Sequence, residues 1–224
     1  MSASERRAAR TREILAATRA LFDARGVRDA QIEDIARAVG INRAIIYRHF
    51  NGKEELFALT LVGYLEELAE ELRSHDMPDA APEERLEAIT EAFFDFGERF
   101  PAFVDCAQTL LRRSGDELME EVSADAMVAL GRGMNAALGR LVAILEAGRE
   151  TGVFTVQDPV LLANIFYAQA LGLLNLLTLQ LAVHGHESGM PMVDTVSRDE
   201  VRRYARLLSV SMARGDLPAS SADS

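Results

Sequence analysis

Apolar residues recur at three- and four-residue intervals along almost the whole of this 224-residue chain. No stretch alternates apolar and polar residues as a half-buried strand does. Ile14, Leu15, Thr18, Leu21 and Phe22 make one such stripe, and Ile32, Ile35, Ala36 and Val39 a shorter one. This period confines the chain to an all-α fold of about nine helices. The spacing predicts helices over about 5–25, 30–38, 43–49, 54–73, 82–99, 101–113, 116–150, 159–183 and 198–214, with a break allowed near Ser123. End signals agree. Gly26 suits a C-cap, Asn42 an N-cap, Pro82 and Pro101 first helical positions, Asp158–Pro159 a cap and first turn, and Ser197 with Glu200 a capping box. "HDMPDAAP" and "HGHESGMPM" read as loops, and residues 216–224 as a disordered tail.

Composition narrows the class. Hydrophobic residues make up 49% of the chain, enough for a packed core. The single cysteine, Cys106, excludes an internal disulfide framework. The start, "MSASERRAARTREIL", lacks the apolar core of a signal peptide. The apolar run at 159–183 is interrupted by Asn164, Gln169, Asn175, Thr178 and Gln180, so it reads as a buried helix and not a membrane span. The expectation is a cytoplasmic protein with no membrane partner. No phosphate loop, nucleophile elbow or HExxH appears. "HGHE" at 184–187 offers metal ligands without a second cluster, and Cys106 has no resolving partner. No metal, no cofactor and no enzymatic activity are expected.

Charge is divided unevenly. Residues 1–53 carry 11 basic against 6 acidic residues, a balance of +5. The remainder carries 13 against 29, a balance of −16, within a net charge of −11. The only lysine, Lys53, closes the basic segment. Such asymmetry marks a nucleic-acid-binding end on an acidic body. Two short helices around Gly40 make a helix-turn-helix. A turn of about 100° per residue places Ile46 and Phe50 of the second helix inward. Ala44, Ile45 and Arg48 then lie on the opposite side, facing a groove, with Tyr47 and His49 flanking them and Arg43 at the helix start. Arg48 can donate two hydrogen bonds to a guanine edge, and Ile45 can touch a thymine methyl. The basic N-terminal arm (Arg6, Arg7, Arg10, Arg12) either enters a minor groove or is a solubilising tail.

The segment "GVRDAQIEDIARAVGINRAIIYRHFNGKEELF" resembles the DNA-binding half of the tetracycline-repressor (TetR-type) regulators. The matching features are Gly26, Ile35–Ala36, Gly40, "YRHF" at 47–50 and "KEEL" at 53–56, within about residues 10–60. The resemblance implies that Tyr47, His49 and Lys53 contact the DNA backbone. It departs at Ala30, where the family has a capping threonine, leaving Asp29 as the expected cap, and at Ile45, often polar in the family. Domains are expected at 1–54 for DNA binding and 55–215 for ligand binding and dimerisation.

Within the acidic part, the helix at 159–183 is apolar on nearly every side, so one face can serve a core and another a second copy. Ala168 and Gly172 would permit close approach. The pocket-wall candidates are Phe93, Phe96, Phe100, Phe103, Cys106, Leu110, Met127, Met134 and Tyr167, joined by Phe94, Phe166 and Met119, with Asn164 and Gln169 as hydrogen-bonding groups. The expected partners are operator duplex DNA, a small, largely apolar effector and a second copy of the chain. A helical interaction module without DNA binding, or else an enzyme, is the alternative. The effector, the operator, the target genes and the choice between repressor and activator are not legible in these residues.

Overall fold

The computed structural model describes residues 2–185 and 191–216. Ten helices lie among them: α1 (Ala3–Arg25), α2 (Ile32–Val39), α3 (Arg43–His49), α4 (Lys53–His75), α5 (Pro82–Arg99), α6 (Pro101–Leu111), α7 (Gly115–Glu121), α8 (Ala124–Glu150), α9 (Pro159–Leu179) and α10 (Arg198–Arg214). The tenth arises because the 116–150 stretch is two helices. Ser114 and Glu117 form a capping box that starts α7. Val122 is extended at φ −117°, ψ 131° and ends it. Ser123 Oγ then accepts from the Ala126 amide at 3.3 Å, restarting the chain as α8.

Two expectations at the chain's far end change. Helix α9 stops at Leu179, because Gln180 takes the left-handed conformation at φ 53° and its N–H closes on the Leu176 carbonyl. The apolar Leu181–Ala182–Val183 that follows is strand β1 (Leu181–Gly185), paired antiparallel with β2 (Pro191–Thr195). A short apolar run carries no period that separates a helix end from a strand. Of the expected capping box at α10, the Ser197 side chain accepts from the Glu200 amide at 3.4 Å. His186 and Glu187 of the "HGHE" motif, and the tail from residue 217, lie outside the described residues.

The chain folds as two compact units, and α4 and α8 contribute to both. The first comprises residues up to 67 together with 99–136. Its core gathers Ile14 of α1, Ile32, Ile35 and Ala36 of α2, Ile46 of α3, Phe50 and Leu56. A second layer surrounds Tyr64, which is fully buried. Its hydroxyl donates to Asp23 at 2.6 Å, and its ring lies 5.9 Å from Phe100 and 6.2 Å from Phe103. Burial, followed by the Asp23 hydrogen bond, holds the Tyr64 phenol well above its ordinary pKa. Burial, reinforced by Asp105 and Asp23, pushes the Cys106 thiol up to about 12.

The second unit comprises residues 68–98 and 137 onward. Helices α5 and α10 are tied by an antiparallel run of ion pairs. Arg198 meets Glu98 at 3.1 Å, Arg202 meets Glu91, Asp95 and Glu98 at 2.9, 2.7 and 3.0 Å, Arg206 meets Glu91, and Arg214 meets Glu83 at 2.8 Å. Arg198, Arg202 and Arg206 on α10, and Glu91, Asp95 and Glu98 on α5, recur at three or four residues and so share one face of each helix. Gly148 admits the Phe154 ring so closely that a Cβ there would sit 2.0 Å from it.

A buried ion pair joins the start of α5 to the chain just beyond α4. Arg85 donates to both oxygens of Asp76, at 2.8 and 2.9 Å, and Arg140 of α8 approaches at 3.3 Å. The Asp76 side chain is 2% exposed and that of Arg85 12%. The Arg85 hydrogen bond outweighs burial and lowers the Asp76 pKa. Its stabilising effect is therefore present above the ordinary carboxylate pKa and is lost as pH falls through the lowered native value. Asp76→Ala, which leaves Arg85 unpaired, is predicted to cost about 3–5 kcal/mol in urea unfolding at neutral pH. The loss should shrink toward acidic pH, and an unchanged midpoint would remove this pair from the account.

Candidate functional site

The turn between α2 and α3 is set by Gly40, which adopts the left-handed conformation at φ 70°, ψ 32° and donates to the Ala36 and Arg37 carbonyls. Asn42 then caps α3 by accepting from the Ile45 amide at 3.1 Å. The N-cap of α2 falls at Gln31 with no side-chain cap, so Asp29 does not take the expected capping role. Ala30 is instead buried. Helix α3 presents the expected faces. Ile46 is buried, and Phe50, which follows the helix, is buried with it. Arg43, Ala44, Tyr47 and Arg48 are exposed, with Ile45 and His49 half-buried.

The polar members of this face are already positioned. Arg43 donates to Glu33 of α2 at 2.7 Å, and its guanidinium lies 5.5 Å from the Tyr47 ring centre. Lys53 opens α4, its ammonium 5.0 Å from the Phe57 ring centre. A lysine in a first helical turn opposes the helix dipole unless an anion shares the site. The residues of the basic N-terminal arm, Arg6, Arg7, Arg10 and Arg12, all lie within α1. That helix begins at Ala3, started by a capping box between Ser2 and Glu5. From α1, Arg7 donates to the Arg48 carbonyl at 3.0 Å. Thr11 Oγ1 lies 2.9 Å from His49 Nδ1 and donates to the Arg7 carbonyl at 3.1 Å. Thr11 has a single hydroxyl proton for these two partners, and its contact occupies Nδ1 of His49, leaving Nε2 as the second ring nitrogen. Thr11, Glu33 and the contact of Arg7 to α3 were not anticipated from sequence: Arg7 and Thr11 act across 41 and 38 residues, beyond any local period.

The second unit holds an apolar pocket of about 580 Å3, counting its open mouth. Leu68 and Leu72 come from α4, Ile89, Thr90, Phe93 and Phe94 from α5, and Ala137, Leu138 and Leu141 from α8. Phe166, Tyr167, Gln169, Ala170 and Leu173 come from α9, Ala205 and Ser209 from α10. Of the wall candidates, Phe93, Phe94, Phe166, Tyr167 and Gln169 line it. Phe96 is fully buried but is not in the lining. Asn164 is exposed, its amide donating to the Val160 carbonyl at 2.9 Å. Phe100, Phe103, Cys106, Leu110, Met127 and Met134 belong to the first unit, where Phe100 and Phe103 pack on Tyr64. Met119 is exposed. Large side chains drew attention in the sequence. The pocket also needs small ones, Ala137, Ala170, Ala205 and Ser209, whose role is to leave space.

Helix α9 buries Phe166, Tyr167, Leu171, Leu174 and Leu177 and packs on α10. Its other side is apolar and uncovered: Val160, Leu161, Ile165 and Leu179 are exposed, and space beside Gly172 is open. Tyr204, Leu207 and Leu208 extend this surface onto α10. The same face carries Asn164 and Asn175, which suits water or protein better than lipid.

These features define a helix-turn-helix protein whose second helical unit encloses an apolar cavity. Residues 14–60 match the family model for bacterial regulatory proteins of the tetR family. Over these residues the chain is similar to that family's DNA-binding segment. It is 33% identical over 86 residues to the HTH-type transcriptional activator FasR of Mycolicibacterium smegmatis, covering 38% of this chain and 39% of FasR. It is 36% identical over 92 residues to the HTH-type transcriptional repressor KstR2 of Mycobacterium tuberculosis, covering 41% of this chain and 46% of KstR2. The match thus spans less than half the length of these curated relatives. The fold extends further. The crystal structure of a tetR-family regulatory protein from Rhodococcus RHA1 superposes with a TM-score of 0.62 at 19% identity, covering 91% of this chain and 96% of that one.

Burial first, and then Arg7 and Arg10, lower the His49 pKa below its ordinary 6.5. The folded state therefore favours neutral His49; this contribution to stability is present above pH 6.5 and is lost as pH falls below it. An NMR titration is predicted to place the His49 midpoint below 6.5, and Arg7→Ala to raise it. A midpoint at or above 6.5 would contradict the arrangement.

Proposed function

We propose that this chain is a homodimeric transcriptional regulator that grips operator DNA with the exposed face of α3 and responds to a small, largely apolar molecule held in the second unit. The observation that carries the reading is the two-sidedness of α3, with Ile46 and Phe50 buried and Ala44, Tyr47 and Arg48 outward. Residues 1–54 would form the DNA-binding domain and 55–215 the effector and dimerisation domain, in a cytoplasmic protein. Tyr47, His49 and Lys53 would contact phosphates, while Arg43, Ala44, Ile45 and Arg48 face base edges. Arg43 would exchange Glu33 for DNA, and His49 would take up a proton on meeting a phosphate.

The uncovered face of α9 and α10 supports a dimer, since an apolar surface of this kind marks an association site. Two-fold symmetry then doubles the DNA site that one short helix can read. Effector and DNA would oppose each other through one coupling free energy, so that each weakens the other's binding by the same factor. The proposed sense of regulation is repression, relieved when the effector releases the protein from its operator. Its relatives FasR and KstR2 are named an activator and a repressor, so kinship does not decide the sense of regulation.

Lys53→Ala is predicted to weaken binding to all duplexes alike and to make the salt dependence shallower by about one unit of slope. Arg48→Ala should cost about 1–3 kcal/mol on the best site and relax preference at particular base pairs. Fluorescence anisotropy across a salt series measures both, and an unchanged slope for Lys53→Ala refutes its phosphate contact. For the dimer, Ile165→Arg combined with Leu207→Arg should sediment as a folded monomer and lose more than about tenfold in operator affinity. A variant that stays dimeric with normal affinity would place the interface elsewhere.

A further inference from the structure

The chemistry of the pocket is more selective than its apolar character alone. Among its described lining residues there is no arginine, lysine, aspartate or glutamate. A guanidinium that approaches a lining ring, Arg202 at 5.9 Å from the Phe94 centre, is held by Glu91, Asp95 and Glu98. An anionic ligand would therefore lose its hydration without gaining a counter-ion, which disfavours carboxylates and phosphates strongly.

The two lining hydroxyls sharpen the choice. Thr90 Oγ1 donates to the Leu86 carbonyl at 2.8 Å, and Ser209 Oγ donates to the Ala205 carbonyl at 2.9 Å. Each has spent its only proton on its own helix, so toward the cavity each can accept but not donate. A ligand that brings an O–H or N–H finds partners here, whereas one that brings only acceptors must rely on the Gln169 amide or the Tyr167 phenol. Phe93, Phe94, Phe166 and Tyr167 supply ring faces and edges, with Phe93 and Tyr167 edge-to-face at 6.0 Å.

We infer that the effector is an uncharged, ring-bearing alcohol or phenol, bound with its hydroxyl donating to Thr90 or Ser209, and that its carboxylic acid counterpart is excluded. The inference rests on the regulator reading only for the word effector; the selectivity belongs to the pocket itself. It is tested on the full-length protein without DNA, by calorimetric titration near neutral pH with 2-naphthol, 2-methoxynaphthalene and 2-naphthoate. The phenol is neutral there and the naphthoate ionised. The expected result is that 2-naphthol binds more than about a hundredfold tighter than 2-naphthoate. The methyl ether, which cannot donate, should bind about three- to tenfold weaker than the phenol.

Two variants keep the reading tied to this cavity. Ala170→Trp, which fills it, should abolish naphthol binding with helix content retained. Gln169→Arg, at a half-buried position, should raise naphthoate affinity to at least that of naphthol by supplying the missing cation. Naphthoate binding the wild type as tightly as naphthol, or none of the three binding a folded protein, would overturn the inference. So would naphthol binding that survives Ala170→Trp. A failure of operator binding would leave all these titrations unaffected, so the two readings fail separately.

Discussion

The exposed face of α3 depends on two buried side chains. Helix α3 has seven residues, too few to persist alone, because nucleation costs more than two turns of hydrogen bonds return. Ile46 and Phe50 fix it by entering the cluster of Ile14, Ile32, Ile35 and Ala36. Their burial sets the rotation of the helix, and rotation decides that Tyr47 and Arg48 point outward. The Arg7 contact to the Arg48 carbonyl and the Thr11 contact to His49 hold the helix's last turn from α1. Local chemistry sets the entrance, through Gly40 and Asn42, and tertiary contacts set the exit.

The second unit solves a different problem. Its helices must enclose a cavity and leave an apolar outer face, both of which reduce the burial that ordinarily stabilises a domain. The ion pairs between α5 and α10, and the buried Asp76–Arg85 pair, hold helices in register where apolar packing is given up to space. Helices α5, α9 and α10 each offer one face to the pocket, and α9 and α10 carry the uncovered surface as well. A ligand that shifts these helices would bear on the surface between copies, and this is the physical route proposed for the effector's influence.

Much of this was legible in the sequence. Helix type followed from period, and helix starts from Asn42, Pro82, Pro101, Asp158 and Ser197, because caps and N-terminal prolines act through bonds a few residues long. The faces of α3 followed from its period alone. What stayed hidden depends on distance along the chain. The division of α4 and α8 between two units leaves no mark in a continuous apolar stripe. Phe100, Phe103 and Cys106 look like pocket wall and serve the first unit's core, since an aromatic residue's composition is the same in either place. The strand after Gln180 was missed for the opposite reason: its local signal, a short apolar run, is too brief to outweigh the pattern around it.

The central claim is that α3, held by Ile46 and Phe50, is presented twice in one molecule to successive turns of duplex DNA. Selection of bound duplexes from a random pool, at moderate salt and without effector, addresses it most directly. The account predicts enrichment of one motif with two-fold symmetry, its half-sites about one helical turn or a multiple of it apart. Recovery of an unsymmetrical motif would contradict the paired presentation. Recovery of no motif beyond that of a protein with Tyr47 and Arg48 both replaced by aspartate would contradict DNA reading by α3 altogether.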